Sequence, residues 1–235
     1  MIFKQLFEPV SCTYTYLIAS GEGREALIID PVFCCCAMYE KLINELDLKL
    51  VVALDTHLHA DHVTGTGKLK ESQNCKIAMG MQTKAEMVDY RFKESEEINI
   101  DGLKIKTIYT PGHTDDSYSF FLNDRLFTGD TLLIRGTGRT DFQHGDPKAQ
   151  YDSIVNKLFG FPEKTLVYPG HDYKGMTVSS IREEKAFNPR LKDKTEEQYI
   201  SIMNNLNLPN PKMMDIAVPA NIKCGKEYKT PSKAS

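Results

Sequence analysis

Leu50-Val51-Val52-Ala53-Leu54-Asp55-Thr56-His57-Leu58-His59-Ala60-Asp61-His62 is the stretch on which the reading of this chain turns. Leu50 to Leu54 is continuously apolar, as a strand buried on both faces requires. It delivers the chain into a turn with four potential metal ligands: His57, His59, Asp61 and His62. Neutral imidazole carries a free lone pair near neutral pH, which makes it the commonest metal-binding side chain. Two histidines alternating at a strand end can aim both rings at one centre. Asp61 and His62 add an oxygen and a third nitrogen as the chain enters the next helix, and Gly65 and Gly67 allow close backbone approach behind them. A polar turn with surface histidines does not account for this density of ligands directly after a buried strand.

Outward from this segment, strands and helices are mixed throughout. Thr13 to Ala19 alternates, with Tyr14, Tyr16 and Ile18 on one face, and Ala26 to Ile29 ends at the stop Asp30-Pro31. A helix follows whose Tyr39, Leu42, Ile43 and Leu46 form one apolar stripe. Strand signals recur at 76–80, 103–109, 117–122, 125–128 and 165–168. Asp146-Pro147 reads as an N-cap with a first-turn proline, opening a helix striped by Tyr151, Ile154, Val155 and Leu158. Later helices are predicted from about 177 to 187 and from Thr195, where Thr195 and Gln198 match a capping box. The last of these carries the stripe Tyr199, Ile202, Met203 and Leu206. Pro-Gly-His occurs at 111–113 and again at 169–171, each after a strand, which suggests two similar halves meeting at one edge. His113, His171 and Asp130 in Thr128-Gly129-Asp130 supply the separated ligands that a cluster at 57–62 lacks.

At 235 residues the chain suits one well-buried α/β domain rather than two. A net charge of -3 gives no global attraction to nucleic acid or to an anionic membrane. No apolar run is long enough to span a bilayer, and Met1 leads into Ile2, Phe3, Leu6 and Phe7 without the plan of a secretory signal, so the expected location is cytoplasmic. The six cysteines, at 12, 34, 35, 36, 75 and 224, form no CxxC pair. Cys34, Cys35 and Cys36 read as small apolar fillers in the turn after a strand. The catalytic domain is expected over 1–222, followed by a flexible, lysine-rich tail over 223–235.

The order H-x-H-x-D-H, later His, Asp, final His resembles the metallo-β-lactamase superfamily. That resemblance implies an αββα sandwich with the metal at the edge between its two sheets. Within the superfamily the chain looks most like the persulfide (sulfur) dioxygenases. The residues carrying this are Phe7 to Thr13, Thr56 to His62, Phe127 to Asp130, Leu132 to Phe142, His171-Asp172-Tyr173, Asn188 to Leu191, Asn204 to Pro209 and Ala217 to Asn221. It spans about residues 3 to 225, and Arg135 to Phe142 is its most discriminating piece. Carried over by position, it implies one Fe(II) per chain held by His57, His113 and Asp130, the two-His-one-carboxylate face that leaves positions for substrate and O₂. His59, Asp61, His62 and His171 then surround the site, although in dinuclear hydrolases of the fold they bind metal, and spacing alone does not choose between these arrangements.

The same resemblance places Arg135, Arg139 and Tyr173 around the active site, where arginine would suit the two carboxylates of glutathione persulfide. Arg139 could equally tie Asp141 or a loop in place. Cys224 matches a pocket-edge cysteine of relatives, and His144 has no place in the metal pattern and is expected at the surface. The implied reaction takes glutathione persulfide, O₂ and water to sulfite and glutathione, in a homodimer. Two rivals remain. One is a glyoxalase II-type hydroxyacylglutathione hydrolase with two metals, for whose helical C-terminal domain little chain is left after the last predicted helix. The other is a metal- or thiol-binding protein without turnover.

Overall fold

Tyr14, Tyr16 and Ile18 point one way from their strand and Leu17 and Ala19 the other, and both faces are buried. That alternation builds the layers. In the computed structural model, which describes residues 1–228, one sheet has the order β1 (Ile2–Glu8), β2 (Thr13–Ala19), β3 (Glu25–Ile29), β4 (Lys49–Leu54), β5 (Lys76–Gly80) and β6 (Tyr90–Phe92). The second has β7 (Glu97–Ile100), β8 (Leu103–Tyr109), β9 (Tyr118–Leu122), β10 (Arg125–Gly129), β11 (Leu166–Pro169) and β12 (Ser179–Ser180), paired in that sequence from one edge. Between the sheets lies an aromatic core that includes Tyr16, Phe120, Phe127 and Tyr168.

The outer face of the first sheet packs on α1 (Cys36–Glu45) and α2 (Thr66–Gln73) through Leu17, Ile28, Tyr39, Ile43 and Leu69. The outer face of the second packs on α3 (Pro147–Asp152), the turns that continue it to Gly160, α4 (Ile181–Phe187) and α5 (Glu196–Asn204), through Leu126, Val167, Ile154, Leu158, Tyr199 and Met203. Helix, sheet, sheet, helix is the expected αββα sandwich. β4 runs parallel to both β3 and β5, which explains its unbroken apolar sequence. The caps form as read: Asp146 accepts from the Lys148 and Ala149 amides, and Thr195 with Gln198 closes a capping box.

Four expectations change. The helix predicted over 177–187 starts at Ile181, because Ser179 and Ser180 pair with β11 and Ser180 then caps the helix. The two Pro-Gly-His segments do not mark two halves: β8 and β11, which precede them, belong to the same sheet. A sixth helix, α6 (Met214–Ile222), follows the one taken as last, with Pro219 inside it. The described part of the expected tail is packed rather than loose. Cys224 is buried, its carbonyl accepts from the Gly67 amide at 2.9 Å, and Tyr228 meets Phe33 edge-on. Residues 229–235 of that tail lie outside the described residues.

Candidate metal centre

All the expected ligands follow strand ends at one edge of the sandwich. His57, His59, Asp61 and His62 follow β4 of the first sheet, and His113, Asp130 and His171 follow β8, β10 and β11 of the second. Backbone bonds hold the two sides in register: the Tyr118 amide donates to the Thr56 carbonyl at 2.9 Å and the Tyr14 amide to the Gly170 carbonyl at 2.7 Å. Donor atoms of His57, His113 and Asp130 lie within 4.8 Å of one another, as do those of His59, Asp61 and His62. Seven residues separated by up to 114 positions in sequence therefore form one continuous polar cluster.

The protonation of the histidines follows from their partners. Thr56 donates its hydroxyl to the Asp30 carboxylate at 3.0 Å, so the same oxygen accepts from His57 Nδ1 at 2.9 Å. His113 Nδ1 donates to the Arg139 carbonyl at 2.7 Å. Both rings thus leave Nε2 as the nitrogen available to a metal, the pattern by which a second hydrogen bond fixes a ligating imidazole. Burial, with His59 and His113 close by, holds His57 well below the usual histidine range, which keeps it neutral. Asp130 Oδ2 lies 3.6 Å from His113 Nε2. This set fits an N,N,O-ligated divalent ion.

His171 is different. Its Nδ1 lies 2.6 Å from Asp130 Oδ1 and its Nε2 lies 2.8 Å from Asp61 Oδ2. Carboxylates only accept, so both ring nitrogens donate and the ring is an imidazolium. Burial opposes that charge, but Asp130 and Asp61 outweigh it and hold His171 well above the usual range. Asp130 in turn is held well below the usual carboxylate range: burial opposes this, and the charge and hydrogen bond of His171 overcome it. His59 donates Nε2 to Asp30 at 3.2 Å and His62 donates Nδ1 to Asp61 at 2.9 Å. This leaves His59 Nδ1 and His62 Nε2 buried without partners.

Three supporting residues were not singled out from sequence. Asp30, read only as a strand stop, is 1% exposed and accepts from the Thr56 amide as well as from Thr56 and His59 side chains. Its φ of 50° turns the backbone under the ligand loop. Thr13 places its hydroxyl 3.0 Å from His171 Nε2 and 3.3 Å from His62 Nδ1. Asn221 of α6 donates to the His59 and His62 carbonyls at 2.9 and 2.8 Å and accepts from the Thr64 amide at 2.9 Å. The signal for Asn221 was its place in the Ala217-to-Asn221 motif. Thr13 likewise closes the Phe7-to-Thr13 motif, while for Asp30 no spacing rule points to the site.

The two arginines expected to bind substrate are committed to the protein. Arg135 pairs with Glu183 at 2.8 Å and with the fully buried Glu184, reaches Ser179 Oγ, and lies over the Phe187 ring. Arg139 forms two parallel bonds to Asp141, each 2.7 Å, donates to the Pro209 carbonyl at 2.7 Å and stacks on Phe142. Their guanidinium forks have anionic or carbonyl partners within the protein, which supports a structural role beside the expected one of holding the substrate carboxylates. Tyr173 stands exposed and parallel to the His171 ring, with centroids 6.0 Å apart. Cys224 packs with Leu58, Ile77 and Met79. His144 is exposed beside a cavity of about 180 Å³ that Leu58, Lys84, Val218 and Ile222 also line. Gly138 must stay bare, since a Cβ there would meet the Asp130 carbonyl and come within 2.8 Å of His113 Nδ1.

No helix among the described residues is long and apolar enough to cross a membrane. The model of the metallo-beta-lactamase superfamily matches residues 13–171. The chain is 48% identical to the mitochondrial persulfide dioxygenase ETHE1 of Mus musculus, over 96% of this chain and 89% of that protein. It is 46% identical to the Homo sapiens protein of the same name, over 98% and 91%. The crystal structure of ETHE1 from Myxococcus xanthus superposes with a TM-score of 0.94 at 50% identity, covering 96% of this chain and all of that one.

Proposed function

Because the chain belongs to the metallo-β-lactamase superfamily and, within it, to the persulfide dioxygenases, we propose that His57, His113 and Asp130 hold the single ferrous ion of that chemistry. The protein is an enzyme, a persulfide dioxygenase acting on a persulfide and O₂. We take glutathione persulfide as the substrate, converted with O₂ and water to glutathione and sulfite. When bound, Fe(II) would supply redox chemistry for O₂ that zinc lacks, at a three-ligand site with coordination positions left open.

The observation that carries the mononuclear reading is His171. Both its nitrogens are engaged by carboxylates, Asp130 and Asp61, which supports a role in holding the ligand cluster over one as a ligand itself. Its positive charge instead faces the buried Asp130 and the half-buried Asp61 and offsets their negative charges beside the ligand cluster. His57 and His113 each engage Nδ1 with a protein partner, the Thr56 hydroxyl and the Arg139 carbonyl, which leaves Nε2 to face a metal. One observation favours a second reading: the unpartnered His59 Nδ1 and His62 Nε2 could serve a second ion, and with it hydrolysis of a glutathione thiolester.

The deciding experiment is metal analysis and oxygen uptake on anaerobically purified protein. One iron per chain is expected, lost in His57→Ala and His113→Ala and largely kept in His59→Ala and His171→Ala. The oxygen electrode should read one O₂ per persulfide, with sulfite in equal amount and no uptake with glutathione. Two metals per active chain, one of them lost in His59→Ala, together with brisk O₂-independent cleavage of S-lactoylglutathione, would replace this reading by the hydrolase. The homodimer and the cytoplasmic location are proposals as well, read by analytical ultracentrifugation and by fractionation of cells. So is the domain scheme of a catalytic unit over 1–222 with a polar C-terminal segment.

A further inference from the structure

Cys34 and Cys35 lie in a turn of 3₁₀ helix, Phe33–Cys35, that leads into α1. Their expected role as apolar fillers fails for Cys34, which is exposed, and holds only in part for Cys35, which is half-buried. Cys36 is buried in the core and Cys35 packs against it. Their Sγ atoms lie 3.9 Å apart on the same side of the turn. Consecutive Cα atoms are about 3.8 Å apart, below the roughly 4.4–6.8 Å of unstrained disulfides, so the pair persists as two thiols. None of this belongs to the histidine–aspartate centre or to the reaction above.

We propose that Cys34 and Cys35 form a chelating site for a thiophilic divalent cation, separate from the histidine–aspartate centre. Two sulfurs bonded to one zinc-like ion at about 2.3 Å with a tetrahedral angle stand about 3.8 Å apart. The observed separation is 3.9 Å, so binding needs no rearrangement of the turn. The turn is itself anchored. The Cys35 amide donates to the Val32 carbonyl at 3.0 Å, the Phe33 amide to the Val63 carbonyl at 2.8 Å, and Val32 pairs with Thr64 across the fold. Soft thiolate donors select such ions over hard ones. Binding exchanges two S–H protons for two S–metal bonds, with no change of oxidation state and no other reactant. The paired thiols suit that exchange.

The test adds cadmium chloride to the iron-loaded enzyme in the absence of oxygen. The histidine–aspartate centre offers no sulfur donor, so the ultraviolet thiolate-to-cadmium absorption reports on cysteine alone. Cys36, Cys75 and Cys224 are buried. The expected band saturates at one cadmium per chain, is lost in Cys34→Ser and in Cys35→Ser, and survives in Cys12→Ser. A band that persists in the double variant C34S/C35S, or no band in the wild-type enzyme, overturns the proposal. A second reading needs no substitution: bound cadmium should protect Cys34 and Cys35 from iodoacetamide in peptide mass mapping. Equal labelling with and without cadmium counts against the site in the same way.

Discussion

Asn221→Ala removes one side chain that ties α6 to the ligand loop. The amide of Asn221 is 3% exposed and makes three bonds, to the His59 and His62 carbonyls and from the Thr64 amide. Each buried hydrogen bond is worth about 1 kcal/mol net, so the loss starts near 3 kcal/mol, and it grows if the freed backbone groups stay dry. For a chain of this size 1 kcal/mol moves the melting temperature by about 2–4 °C, which predicts a fall of roughly 6–12 °C. The loop carrying His57 should also loosen, so metal content after dialysis should drop together with Tm. Asn221→Asp is the sharper control. It keeps an acceptor for Thr64 but turns an anion onto two carbonyl oxygens, and should be at least as damaging as alanine. Calorimetry of the metal-loaded and metal-free forms reads both effects. An Asn221→Ala protein with unchanged Tm and full metal content would refute the reasoning, because three buried bonds cannot vanish without cost.

Arg135→Ala should cost about 3 kcal/mol in a urea titration, the lower end for a broken buried ion pair, because Glu184 keeps Ser179 and Asn188. KM for persulfide should be unchanged, and the reverse pattern would restore the substrate-binding role. Arg139→Lys cannot reproduce the two bonds to Asp141 together with the Pro209 contact. It should lower Tm with KM unaltered, whereas a tenfold rise in KM at normal stability would contradict the structural role. Gly138→Ala drives a Cβ into the Asp130 carbonyl and the His113 ring, and should lose most of its metal while retaining its far-ultraviolet circular dichroism.

Period and punctuation made most of the long elements legible, with β1 the exception. The alternation of Tyr14, Tyr16 and Ile18, the apolar run into His57, and the caps at Asp146 and Thr195 are local features whose physics is complete within a few residues. The short strands β6, β7 and β12 were not, since two to four residues carry too little pattern and owe their form to the neighbours they pair with. α6 escaped because Pro219 interrupts it and because its apolar residues do not fall on one face. In the site, the ligand types were readable because a metal demands them. Whether an arginine is free was not, because that depends on partners such as Glu183 and Glu184, some 48 positions from Arg135. Asp30 shows the same limit: nothing in Asp-Pro reveals that its carboxylate sits under a loop 26 residues away.

Of the three ligands proposed for iron, His57 stands on the loop of one sheet, while His113 and Asp130 stand on loops of the other. An ion shared by them is therefore a cross-link between the two leaves of the sandwich, and its binding free energy is also adhesion energy for the aromatic seam between Tyr16 and Phe127. Linkage makes this reciprocal. Free metal at a thousand times its dissociation constant adds about 4 kcal/mol to the stability of the whole sandwich. Any substitution in the seam that favours slightly parted leaves must weaken metal affinity by the same factor that the metal resists the parting. Loss of iron from a variant altered far from the histidines is then the expected outcome of a distant packing defect, with no ligand touched.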